Sequence, residues 1–190
     1  ATLAPSERLF GMDSELRPTF VHLTAAHWHT LVAEWERSPE RARAQLAGVR
    51  LLNVTGDALS PQKLQAWEAL CPDKKTKLVN TYGPTEATVS CTAAYVKHNP
   101  EMASVTIGRP MANTRIYFLD AQGEPVPVGV AGELFVAGDG VGRGYLNRPE
   151  LTAERFIQDP FSRDPQARMY KTGDLGRWLA DGSIEFLGRN

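Results

Sequence analysis

Three short apolar runs, TFVHL at 19–23, VRLLNV at 49–54 and KLVNT at 77–81, constrain this chain more than any other feature. Runs of five or six such residues suit strands buried in a sheet, and the gaps between them are long enough for helices. Strands alternating with helices imply right-handed βαβ crossovers and a parallel sheet. The gaps carry the matching signals. Thr24 can cap a helix in which Trp28, Leu31, Val32 and Trp35 fall on one stripe. Ser38 and Pro39 interrupt it, and 40–47 reads as a solvated second helix stopping at Gly48. Ser60 and Pro61 open a further helix with Leu64, Trp67 and Leu70 on its inner face, and Pro72 ends it.

Past about residue 105 the texture changes. Helical periodicity disappears, glycine becomes frequent, and β-rich runs stand between turn signals: TRIYFL at 114–119, ELFVA at 133–137, RWL at 177–179 and SIEFL at 183–187. The last two flank ADG at 180–182, a good hairpin turn. A short helix near 149–156, capped by Thr152 or Asn147, interrupts the run of strands. The expected architecture is α/β plus β. A parallel α/β part is expected before about residue 105, and residues ~105–187 read as a small β-barrel or meander.

Bulk properties exclude several classes. A formal net charge of -1, without a basic run interleaved with aromatics, argues against nucleic acid as a partner. No apolar run approaches the roughly 20 residues that span a bilayer, so no membrane partner is expected. Cys71 and Cys91 form neither a metal spacing nor a disulfide framework, which suits a reducing, cytoplasmic setting. His27 and His29 stand two apart and would face away from each other on a helix, so they do not read as a metal pair. No G-x-S-x-G elbow is present for a hydrolase.

Chemistry concentrates where the third run ends. YGPTE at 82–86 offers the Tyr82 ring for stacking, the Thr85 hydroxyl for a phosphate oxygen and the Glu86 carboxylate for a divalent cation. Magnesium takes such oxygen ligands together with substrate phosphates. Equally, Pro84 and Thr85 could simply start a helical turn, with Glu86 favouring its positive end. The glycines at 138, 140, 142 and 144 fit neither G-x-G-x-x-G nor the Walker spacing, and read as tight turns or close backbone packing. YKTGD at 170–174 puts Asp174 on a turn, where a carboxylate could accept ribose hydroxyls or be no more than a turn residue.

Taken together and in order, NTYGPTE at 80–86, GELFVAGDGVGRGYL at 132–146, NRPELTAERF at 147–156, YKTGDL at 170–175 and GR at 188–189 resemble the adenylation domains of nonribosomal peptide synthetases. Those domains belong to the superfamily shared with acyl-CoA synthetases and luciferases. The resemblance implies ATP-dependent activation of an amino acid to aminoacyl-AMP, with release of pyrophosphate and transfer of the acyl group to a phosphopantetheine thiol on a carrier domain. It implies that Tyr82 and Gly83 lie at the nucleotide, Thr85 at the phosphate and Glu86 on Mg2+. Asp174 would take the ribose hydroxyls, Phe186 would lie near the adenine or ribose, and Arg189 would reach the ribose. The matching substrate pocket is His22, Asn53, Thr55, Thr81, Val89 and Ser90. Five of these six can hydrogen-bond, which points to a polar amino-acid side chain.

The same resemblance implies that other parts lie outside these residues. They are a glycine-, serine- and threonine-rich phosphate loop, the aspartate that holds the substrate amino group, and a C-terminal domain with a catalytic lysine beyond the hinge. The chain thus reads as the later half of a large N-terminal domain, a partial flavodoxin-like parallel α/β subdomain over 1–104 followed by a small distorted β-barrel subdomain over 105–190, with little activity expected of the 190 residues alone. An acyl- or aryl-acid ligase of the same superfamily and a non-catalytic binding module are the competing readings.

Overall fold

A computed structural model describes residues 5–11, 18–71, 75–101 and 103–190. The chain is a mixed α/β protein with two sheets. It divides into two compact units, Ala1–Asn80 with Tyr95–Val105, and Thr81–Ala94 with Thr106–Asn190.

In the first unit a short helix α1 (Pro5–Phe10) precedes β1 (Phe20–Thr24), α2 (Ala25–Arg37), α3 (Pro39–Leu46), β2 (Leu51–Thr55), α4 (Pro61–Leu70) and the start of β3 (Lys77–Tyr82). Strands β1 and β2 are parallel, with His22 opposite Asn53 and Thr24 opposite Thr55. The expected α2 stripe is the core: Trp28, Leu31, Val32 and Trp35 are all fully buried. Thr24 caps α2 by accepting from the His27 amide, and Ser60 caps α4 by accepting from the Lys63 amide. α3 is less solvated than its composition suggests, because Ala42 and Leu46 are buried. Pro72, expected to end α4, lies outside the described residues.

In the second unit β4 (Thr92–Tyr95) contributes Thr92 and Ala93 to an antiparallel pairing with β5 (Arg109–Pro110). The second sheet contains β6 (Thr114–Leu119), β7 (Gly132–Gly138), β8 (Phe156–Gln158), β9 (Arg168–Trp178) and β10 (Ile184–Arg189), with helix α5 (Pro149–Arg155) between β7 and β8. Its order is β10-β9-β7-β6, and β8 also pairs with β9. Among the described residues it does not close into the expected barrel. Its two outer edges are dressed locally instead. Ile107 donates to Ile184 O and Ile184 to Gly108 O beside β10, while Val126 donates to Phe118 O beside β6. An edge satisfied in this way does not need closure.

Two local expectations change. Neither Thr152 nor Asn147 caps α5: Arg148 occupies the cap without a side-chain bond, and the Thr152 hydroxyl accepts from the Tyr145 amide at 2.9 Å. YKTGD is not a turn between strands but the middle of β9, an 11-residue strand. Four steps of β9, Lys171 to Leu175, face only two steps of β7, Glu133 to Phe135, so the strand bulges there, with Gly173 at φ 76°. A bulge re-aims the side chains beside it, and Asp174 is the next residue.

Candidate functional site

The segment from Tyr82 to Cys91 is a loop closed at its base and seated in the core of the second unit. The Cys91 amide donates to Tyr82 O at 2.8 Å. Ala87 and Cys91 are buried in a cluster with Ile107, Ile116, Phe118, Leu134, Val136 and Ile184. Thr85–Ala87 forms a single 3-10 turn that ends at Thr88 in the left-handed region. Val89 follows at φ 68°, and the Ser90 amide donates back to Thr88 O at 2.8 Å. A β-branched residue rarely adopts positive φ, so the loop holds Val89 under backbone strain at one of the predicted pocket positions.

Around this loop the sequence-predicted nucleotide residues converge. Tyr82 donates its phenol proton to Asp174 Oδ2 at 2.5 Å, and Arg189 Nε donates to Oδ1 at 3.0 Å. Arg189 stands directly opposite Asp174 in the β9–β10 ladder. The Asp174 backbone is fixed as well, since its amide donates to Thr172 Oγ1, which itself donates to Leu134 O. Phe186 lies beside Tyr82 with ring centroids 5.8 Å apart. Burial, and next the hydrogen bond to Asp174, push the Tyr82 phenol far above the usual tyrosine range, so it remains a donor. The Asp174 carboxylate in turn raises the Arg189 guanidinium. Asp174 is only 4% exposed although it is charged; two donors at its oxygens compensate that burial.

Glu86 is anchored separately. Tyr145 donates to its Oε1 at 2.5 Å. Burial alone would raise the Glu86 carboxyl, but the hydrogen bonds that follow, led by Tyr145, together with the Arg189 charge, hold it below the ordinary value. An ionised carboxylate on a partly buried turn suits Mg2+, which needs only one or two carboxylates and completes its shell with water and phosphate oxygens. Among the described residues no group of three or more His, Cys, Asp or Glu is placed to hold a metal. Thr85 is exposed at the start of the same turn.

The predicted pocket residues divide between the units. In the first, Asn53 Nδ2 and His22 Nδ1 are 2.9 Å apart across the β1–β2 ladder, and Thr55 ends β2. In the second, Thr81 is buried, Ser90 is half-buried and Val89 is 58% exposed.

The glycine-rich segment acts through close packing. A Cβ on Gly142 would stand 3.2 Å from Glu86 O, and one on Gly140 would stand 3.4 Å from Ala87 O. The Gly142 amide donates to Glu86 O at 2.8 Å, and Thr88 Oγ1 donates to Gly140 O at 2.7 Å. Sequence reading missed Tyr145 and Thr172, whose roles depend on contacts with no periodic signature.

Residues 1–146 match the model of the AMP-binding enzyme family. The chain belongs to that family. This AMP-binding chain is 50% identical over 143 residues to bacitracin synthase 1 of Bacillus licheniformis, a match covering 74% of the chain and 3% of that protein. It is 41% identical over 188 residues to a dimodular nonribosomal peptide synthase of Bacillus subtilis strain 168, covering 99% of the chain and 7% of the relative. Among solved structures, a nonribosomal peptide synthetase protein containing adenylation and PCP domains superposes with a TM-score of 0.84 at 31% identity, over 100% of the chain and 37% of that protein. A nonribosomal peptide synthetase in an AMPPNP-bound form gives 0.84 at 35%, over 97% and 19%. The AMP-binding chain thus spans a small part of the relatives it matches, and the matched parts are adenylation domains of peptide synthetases.

Proposed function

We propose that these residues form the adenosine- and metal-binding wall of an amino-acid-activating ligase that makes aminoacyl-AMP and passes the acyl group to a phosphopantetheine thiol of a carrier domain. The observation that carries this reading is the convergence of Tyr82, Phe186, Asp174 and Arg189 within one compact unit. Tyr82 and Phe186 supply aromatic faces for adenine. Asp174 exchanges its present donors for ribose hydroxyls, and Arg189 is placed to follow them. Glu86 would hold Mg2+, which when bound would supply neutralisation of phosphate charge, and Thr85 would meet a phosphate oxygen. We read the first unit as part of a flavodoxin-like subdomain and the second sheet as an opened barrel, with the subdomain division near 104–105, in a cytoplasmic enzyme.

His22, Asn53, Thr55, Thr81 and Ser90 would give the substrate pocket hydrogen-bonding walls. A site built to hydrogen-bond a substrate group rejects an analogue lacking that group by several orders of magnitude. Amino-acid-dependent ATP–pyrophosphate exchange by the intact protein carrying this chain is therefore expected to favour a polar substrate; a clear preference for leucine or phenylalanine would refute that assignment. The 190 residues alone are expected to exchange pyrophosphate at no useful rate, because catalysis by positioning fails when much of the positioning is absent. Robust exchange by the isolated polypeptide would contradict this.

A further inference from the structure

We infer that Tyr145 is a positioning residue for the Glu86 carboxylate, a role that rests on the reading of Glu86 as a magnesium ligand. The turn that carries Glu86 is stapled at both ends to the glycine-rich segment, by Gly142 N–H on Glu86 O and by Thr88 Oγ1 on Gly140 O. The same segment then delivers Tyr145. Gly144 adopts φ 137°, where a Cβ would stand 2.3 Å from Thr152 Cγ2. The next amide, that of Tyr145, donates to Thr152 Oγ1. The Tyr145 ring meets Phe156 edge-on with centroids 5.3 Å apart, and its phenol reaches Glu86 Oε1 at 2.5 Å.

A phenol has one proton. That of Tyr145 is given to Glu86, and the Tyr170 hydroxyl, on a residue that is itself buried, lies 3.3 Å away and itself hydrogen-bonds Glu86. Four fixed points (turn, amide, ring and hydroxyl) hold a side chain 59 positions away in sequence from the carboxylate it touches. Glutamate has three rotatable side-chain bonds, and a ligand carboxylate held before the cation arrives binds it more tightly than a mobile one. Tyr145 touches no reacting atom in this scheme; it acts through Glu86.

Tyr145→Phe removes one oxygen and keeps the ring against Phe156. In the intact protein, two quantities test the inference: Mn2+ affinity measured by electron paramagnetic resonance in the presence of AMP, and the Mg2+ concentration for half-maximal pyrophosphate exchange. The substitution should weaken the first and raise the second by about 10-fold, the effect typical of losing an outer-shell partner. Metal-free AMP affinity should stay at the wild-type value, and the melting temperature should stay within about 3 °C. In a Glu86→Gln background the substitution should have no further effect on metal affinity. Wild-type metal dependence in Tyr145→Phe, with a metal-dependent parent, overturns the positioning role alone. A parent that binds no Mn2+ overturns the Glu86 reading and this inference with it. Should Tyr145→Phe fail to fold, Tyr170→Phe replaces it: a two- to three-fold rise (roughly, for the loss of a supporting hydroxyl) supports a tyrosine anchor at Glu86, and an unchanged midpoint overturns it.

Discussion

Replacing Asp174 with alanine should weaken AMP binding by about 100-fold, the equivalent of losing one or two hydrogen bonds to a charged acceptor. The side chain accepts from Tyr82 and Arg189 at once and is almost completely buried. Alanine leaves the Tyr82 hydroxyl without its acceptor, so the protein should also lose about 2 kcal/mol of stability. Asparagine keeps the shape and one acceptor oxygen but not the charge, and should fall between alanine and the parent in both measurements. Calorimetric titration with AMP and a urea unfolding midpoint separate the two effects. Wild-type AMP affinity in Asp174→Ala would remove Asp174 from the ribose role.

Gly83→Ala is the second large effect. A Cβ there would lie 2.6 Å from Val89 O and 2.8 Å from both Cys91 N and Ser90 Cα, all of them backbone atoms. Those atoms cannot swing aside as a side chain could, because the loop is closed by the Cys91 amide on Tyr82 O and seated by buried Cys91. Overpacking of this kind costs about 1–3 kcal/mol, and a chain of this size loses about 2–4 °C of melting temperature per kcal/mol. Relieving the clash must also displace Tyr82 or Val89, so nucleotide affinity should fall together with stability. A Gly83→Ala protein with the parent's melting temperature and AMP affinity would show that the loop is looser than its packing indicates.

The first unit was legible because its signals are local and periodic. The α2 stripe and the Thr24 and Ser60 caps need only neighbours in sequence, and all are present. The β-rich half was legible as runs, such as TRIYFL forming β6 throughout, but not as an assembly. Whether a sheet closes depends on what occupies its edges, and the bridges beside β10 and β6 involve residues without strand patterning. The Asp174 position shows the same limit at one residue. Gly173 marked an irregularity, yet whether it made a turn or a bulge was decided by β7 running alongside. Thr152 looked like a helix cap because its type and place suited one, but its hydroxyl serves Tyr145 instead. Residues proposed to act directly on a nucleotide could be named from motifs. Those that hold them in place, Tyr145 and Thr172, could not, since each works through a partner 38 or more positions away.

If the Tyr82–Glu86 turn and the Asp174–Arg189 pair form one nucleotide-binding wall, a single ligand should protect both. Hydrogen-exchange mass spectrometry on the intact protein, with and without AMP and Mg2+, tests this directly. Slowed exchange is expected in peptides covering 82–91, 170–176 and 186–190, with loss of that protection in Asp174→Ala. Tight AMP binding that leaves all three segments unprotected would contradict it.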